Sequence, residues 1–218
     1  MRLAIFDLDN TLLAGDSDHS WGEFLAQKGI VDSHTYQQAN DRFYQQYSDG
    51  NLDIFEFLEF ALKPLAQNSK ADLEQWHQQF MQDVITPIML PKAQDLLEQH
   101  RNNGDYLLII TATNLFVTKP IAQALGVNHI LATNPQIHNG QYTGKVDGIP
   151  CFQEGKVERL KQWLNENNFS LADSYFYSDS HNDLPLLELV DNPVAVDADE
   201  KLTHIALEQG WPVISLRD

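Results

Sequence analysis

The sequence predicts an α/β protein, a doubly wound and mostly parallel sheet interrupted early by an all-helical insertion. Three observations carry this prediction. Short, nearly unbroken apolar runs (Leu3-Ala4-Ile5-Phe6, Tyr106-Leu107-Leu108-Ile109-Ile110 and Tyr175-Phe176-Tyr177) read as strands covered on both faces, as parallel strands are. From residue 91 onward such runs alternate with stretches of helical periodicity. Between the first strand and that point the apolar residues recur at helical spacing, with no strand pattern. The expected organisation is a sheet domain made of residues 1–15 and 90–218, with a helical cap domain over 16–89.

The elements follow in order. A first strand covers 2–7. In the insertion, Trp21, Phe24 and Leu25 form one apolar set, Phe55, Leu58 and Leu62 a second, and Leu73, Trp76, Phe80 and Val84 a third. They predict three or four helices packed against one another, one of them opened by Ser69 with Asp72. Pro91 in a first turn and Gly104 just past the end bracket a helix over 91–103. A strand over 106–111 leads to a helix over 115–125 closed by Gly126, and then to a short strand near 130–131. Asn139-Gly140, flanked by Ile137 and Tyr142, predicts a tight hairpin. A helix over 154–167 carries Val157, Leu160 and Leu164 on one side. The remainder reads as strand 175–177, helix 184–190, strand 194–196, a helix from about 200, and strand 213–214.

Composition excludes several classes. A chain of 218 residues, 43% hydrophobic and 21% charged, suits a soluble protein with one domain and an insertion. No apolar stretch is long enough to cross a bilayer, and the N-terminus lacks a signal-peptide pattern, so no membrane partner is expected. The single cysteine, Cys151, excludes an internal disulfide and agrees with a cytoplasmic location. Fourteen basic against thirty-one acidic residues, a net charge of −17, argue against a nucleic-acid partner. Most of this acid serves solubility, and part of it suits a divalent metal or a cationic substrate.

The chemistry concentrates at strand ends and helix starts. Asp7 and Asp9 follow the first strand, and two buried carboxylates are costly unless a cation or hydrogen bonds compensate them. Strand ends are also where open α/β sheets collect ligands. Three further clusters stand in corresponding places: Thr111-Ala112-Thr113, Lys156, and Asp179 with Asp183. This set resembles the haloacid dehalogenase (HAD) superfamily phosphatases, in particular the phosphoserine-phosphatase-like branch with a helical cap. The family's DxDx[T/V] motif stands here as Asp7-Leu8-Asp9-Asn10-Thr11, and its strand-ending Ser or Thr as Thr111. Its helix-opening lysine stands as Lys156, and its DxxxD as Asp179-Ser180-His181-Asn182-Asp183. The four motifs occur in the family's order, and the resemblance covers essentially the whole chain.

The resemblance implies Mg2+-dependent hydrolysis of a small-molecule phosphomonoester through an aspartyl-phosphate. Asp7 is then the nucleophile and Asp9 the general acid/base. The metal ligands are the Asp7 carboxylate, the Asp9 carbonyl and the Asp179 carboxylate. Thr111, the N–H of Ala112, Lys156 and Asn182 attend the phosphate, and Asp183 fixes Lys156 or a metal-bound water. Phosphoryl transfer requires such parts in any case: a nucleophile, a proton donor and positive charge around the phosphate oxygens. An aspartic acid ordinarily titrates near about pH 4, so Asp9 needs surroundings that favour its protonated form. His19 and His181 read as structural or surface residues, Lys161 as solvated, and Cys151 as packing.

For the substrate, Asp16 stands nine residues after Asp7, where phosphoserine phosphatases carry an acid that holds the amino group. The cap arginine with which those enzymes grip the carboxylate falls at Ala61, leaving Arg42 or Lys63 as possible replacements. Asp16, Asp18 and Glu59 therefore predict a positively charged substrate without a carboxylate, histidinol phosphate foremost. A phosphoserine or broad-specificity phosphatase is the alternative. Two non-enzymatic readings are a phosphorylatable signalling module, against which Asp9 counts, and an inactive scaffold, against which the complete motif set counts.

Overall fold

The computed structural model describes residues 2–217. The chain enters through β1 (Leu3–Phe6) and passes into helices α1 (Ser17–Gln27), α2 (Ser33–Asp49), α3 (Ile54–Gln67) and α4 (Lys70–Phe80). A π-helical turn (Met81–Ile85) and a short α5 (Thr86–Ile88) lead out of this block. Then come α6 (Pro91–Asn102), β2 (Tyr106–Asn114), α7 (Leu115–Leu125), β3 (His129–His138), β4 (Gln141–Asp147) and α8 (Glu154–Asn167). The last part comprises β5 (Tyr175–Ser178), a 3-10 turn (His181–Asp183), α9 (Leu184–Leu187), β6 (Asn192–Val196), α10 (Glu200–Gln209) and β7 (Val213–Ile214). Among the described residues, no helix is long and apolar enough to cross a membrane.

The seven strands lie in the order β4-β3-β2-β1-β5-β6-β7, parallel except for β4. From central β1 the chain winds outward to β2 and β3, then returns to build β5, β6 and β7 on the other side. Phe6 is in register with Ile109 of β2 and Tyr177 of β5. The C-terminal ends of β1, β2 and β5 therefore meet where the winding reverses, which is the ligand-binding crevice of such sheets. Alternate strand residues feed opposite layers. Ala4, Phe6, Leu107 and Ile109 face α1, α6 and α7, whereas Leu3, Ile5, Leu108 and Ile110 face α8, α9 and α10. This explains why the parallel strands read as unbroken apolar runs.

Four helices of the insertion begin at acidic or hydroxyl caps: Asp16, Asp32, Asp53 and Ser69 accept hydrogen bonds from the N–H groups of the first turn. Part of the acid excess thus serves helix capping. Phe55, placed in an apolar stripe by spacing, is instead 67% exposed, and the buried face of α3 is Leu58, Leu62 and Leu65. β3 is much longer than residues 130–131. It turns at Asn139-Gly140 and pairs with β4, as His138 opposite Gln141 shows. The half-exposed β4 has little hydrophobic alternation to announce it; Tyr142 and Val146 become partly buried by packing on α3. α9 closes after Leu187 rather than 190.

Gly155 decides how α8 begins. A Cβ at this position would lie 2.1 Å from the carbonyl oxygen of Pro150, so a side chain would push the preceding loop away. Gly155→Ala is expected to destabilise the protein by about 1–3 kcal/mol, measured as a lower midpoint of denaturant unfolding. An unchanged midpoint would show that the loop yields freely.

Candidate active site

The four clusters converge on the crevice. Lys156 projects from the first turn of α8 into the core, where its side chain is 2% exposed. Its ammonium donates to Asp7 Oδ1 at 2.7 Å and to Asp183 Oδ2 at 2.9 Å. Ser178, at the end of β5, donates to the same oxygen, Asp183 Oδ2, at 2.7 Å and so gives that carboxylate a second anchor. Thr11 steadies Asp179: its hydroxyl donates to Asp179 Oδ1 and accepts the Asp179 N–H, both at 3.1 Å. Asp9 Oδ1 accepts the N–H of Ser17 at 2.6 Å, and Asp9 Oδ2 accepts the hydroxyl of Thr113 at 2.9 Å and that of Thr111 at 3.4 Å.

Burial governs the electrostatics. It works against the charged Lys156, but Asp183 and Asp7 outweigh it and hold the ammonium above an ordinary lysine. For Asp7 burial prevails over the pull of Lys156, and with repulsion from Asp183 and Asp9 its pKa is pushed up to about 7. Asp179 is raised well above the usual carboxylate value by burial, then by Asp7 and Asp183. Burial likewise raises Asp9, with hydrogen bonds from Ser17 and Thr113 offsetting part of the shift. So many acids around one lysine leave an excess of buried negative charge that a divalent cation would relieve.

The donor set suits a hard cation. Asp7 and Asp179 offer carboxylates, and among the described residues no hydrogen bond reaches the Asp9 carbonyl. No group of three His, Cys, Asp or Glu side chains among the described residues forms a closed metal cage. Two carboxylates and a carbonyl are the kind of oxygen donors that a hard divalent cation takes alongside waters.

A cavity of about 550 Å3 including its mouth opens beside these groups. Asp7, Asp9, Thr111, Ala112 and Thr113 form its floor, Asp16, Asp18 and His19 one wall, and Phe43, Tyr44, Tyr47 and Phe57 the helical side. Asp16 spends one oxygen on capping α1, accepting from the N–H groups of Asp18 and His19 at 2.9 and 2.8 Å. Burial and the nearby Asp9 push Asp16 up to about 7. Asp18 is raised well above the ordinary value by burial, Asp16 and Asp9, and receives the amide of Asn114 at 3.3 Å.

Several sequence expectations do not hold. Glu59 is not in the cavity: it lies two residues, about 200° of helix, from Phe57 and faces an outer groove with Phe55 and Lys63. Arg42 and Lys63 do not replace the missing arginine. Arg42 pairs with Glu56 at 2.9 Å on the surface, and Lys63 lines outer grooves. The Asn182 side chain is committed away from any phosphate, donating to the Tyr47 carbonyl and accepting from Gln153, both at 2.9 Å. His19, read as a bystander, stands at the cavity wall with Asp41 at 2.9 Å. By contrast, nothing contradicts the reading of His181 as structural and Cys151 as packing: His181 hydrogen-bonds Asp199 at 2.8 Å, and Cys151 is buried with its thiol pushed up to about 12. Thr113 was missed as a site residue, although its i, i+2 relation to Thr111 on one strand puts both on the same face.

Comparison with known proteins gives a consistent picture. A family model for haloacid dehalogenase-like hydrolases matches residues 4–188. The chain is 45% identical over 220 residues to a histidinol-phosphatase of Neisseria meningitidis serogroup C, the match covering 99% of each. It is 28% identical to a phosphoserine phosphatase of Mycobacterium tuberculosis, over 98% of this chain and 70% of that one. A crystal structure of a Bordetella pertussis protein of unknown function superposes with a TM-score of 0.93 at 46% identity, covering 99% of this chain and 98% of that one. A substrate-bound phosphoserine phosphatase superposes at 0.72 with 16% identity, covering 99% and 93%, a likeness of fold alone.

Proposed function

Because the chain belongs to the haloacid dehalogenase-like hydrolase family and is a phosphatase, we propose that it hydrolyses histidinol phosphate through an aspartyl-phosphate on Asp7. One observation carries the choice of substrate: among the described residues no lysine or arginine lines the cavity, while Asp16 and Asp18 do. An amino-acid carboxylate would enter this cavity without a counter-charge, beside two acids. An amino alcohol bearing an imidazole meets the opposite conditions, with carboxylates for its positive groups and Phe43, Tyr44 and Phe57 for the ring. The N. meningitidis relative's name supports the same reading.

In this mechanism Asp7 attacks phosphorus while Asp9 protonates the departing alcohol. Asp9 then takes a proton from the water that cleaves the aspartyl-phosphate. Thr111 and the N–H of Ala112 hold phosphate oxygens, and Lys156 offsets charge in the transition state while Asp183 keeps it in place. Asp7, the Asp9 carbonyl and Asp179 would hold Mg2+. The bound ion supplies the positive charge that lets an anionic nucleophile meet an anionic phosphate. We assign residues 16–89 as the cap that covers the site, with Asp16 and Asp18 contacting the substrate.

The test is Mg2+-dependent phosphate release over histidinol phosphate, phosphoserine and sugar phosphates. Histidinol phosphate is expected to exceed phosphoserine in kcat/KM by about 100-fold or more, as an unpaired carboxylate in a partly buried acidic cavity costs several kcal/mol. Asp16→Asn, which keeps the cap oxygen and removes the charge, should raise KM for histidinol phosphate. Preference for phosphoserine would overturn the assignment.

A further inference from the structure

We propose that Thr113 is a positioning residue whose hydroxyl holds Asp9 by Oδ2, so that this oxygen faces the bridging oxygen of the ester. The inference rests on the reading of Asp9 as general acid/base.

The two oxygens of Asp9 are not equivalent. Oδ1 accepts the Ser17 N–H at 2.6 Å, and an amide N–H can only donate. In a protonated carboxyl group the bare carbonyl oxygen is the better acceptor, so this short bond favours Oδ1 as that oxygen and Oδ2 as the one that carries the exchanged proton. Oδ2 has two hydroxyls beside it, Thr113 at 2.9 Å and Thr111 at 3.4 Å. The Thr111 hydroxyl is the farther one; it also accepts the Thr113 N–H at 3.2 Å, and it is the group assigned to the phosphate. Thr113 is thus left to steady Oδ2 once substrate is bound. Its side chain is buried and lines the cavity beside Asp9.

A hydroxyl serves both halves of the reaction. In the first, an Asp7 oxygen bonds to phosphorus, the phosphorus–oxygen bond to the alcohol breaks, and the Oδ2 proton passes to the departing oxygen. In the second, water bonds to phosphorus, gives its proton to Oδ2, and the bond from phosphorus to Asp7 breaks. Thr113 can donate to Oδ2 in either state, so the carboxyl group need not turn between them. Valine at this position keeps the shape and removes the hydroxyl. The carboxyl group could then turn about Cβ–Cγ, and misplacing a reacting group by about 1 Å can cost about 100-fold.

The experiment compares wild type, Thr113→Val, Thr113→Ser and Asp9→Asn on two esters: the best alkyl phosphate of the panel, and p-nitrophenyl phosphate, whose phenolate leaves without a proton. The readout is kcat/KM, which covers the steps through release of the alcohol. Thr113→Val should lower the alkyl-to-aryl ratio of kcat/KM at least about tenfold, Asp9→Asn should lower it further, and Thr113→Ser should restore most of it. An equal loss on both esters in Thr113→Val, or no rescue by serine, overturns the positioning role while leaving Asp9 as acid. An unchanged ratio in Asp9→Asn overturns the general-acid reading, and this inference with it.

Discussion

Asp7→Asn is expected to lower kcat by about 10,000-fold or more while the protein stays folded. An amide cannot form the acyl-phosphate, so the two-step path closes rather than slows. Folding is spared because the amide keeps an oxygen that can accept from Lys156, which lies 2.7 Å from Asp7 in the wild type. The change also removes a charge that burial, Asp183 and Asp9 disfavour. The unfolding midpoint should therefore be unchanged or higher, measured alongside phosphate release on the same preparation. More than about a hundredth of wild-type turnover would exclude Asp7 as nucleophile.

Lys156→Ala should damage both stability and activity. The ammonium is buried between Asp7 and Asp183, and its loss leaves two carboxylates facing each other without a cation. Breaking such a buried arrangement costs about 3–5 kcal/mol, a large part of the roughly 5–15 kcal/mol that holds a domain together. The same loss removes positive charge from the phosphate, expected to cost at least about 100-fold in kcat. If the single variant does not fold, Lys156→Met with Asp183→Asn separates the effects. Neutralising the opposing carboxylate should recover most of the stability and none of the activity. Full activity in either folded variant would show that Lys156 serves the fold alone.

The legible parts of this protein were those carried by local chemistry. The strands β1, β2 and β5 announced themselves because burial on both faces leaves few polar positions, Asp7, Lys156 and Asp179 because each stands at the end of an element, and Thr111 because it closes the apolar run of β2, although the strand itself continues to Asn114. β4 did not, since its apolar residues are few and gain their burial from α3. Asn182 stood in the right motif, yet its amide is taken by the Tyr47 carbonyl, a partner 135 residues away.

The sequence by itself determined a doubly wound fold with an inserted helical block, and the identities and order of the groups gathered at its crevice. Element type follows from periodicity, and strand ends converge wherever the winding reverses. Only the tertiary structure decided which charges the substrate meets. A helical side chain's direction turns by about 100° per residue, and its exposure depends on what packs against the helix. Glu59, Arg42 and Lys63 thus point outward, and Asp16, Asp18 and a ring of aromatic side chains face in. The same packing set Thr113 against Asp9, a contact across 104 residues that no spacing rule contains.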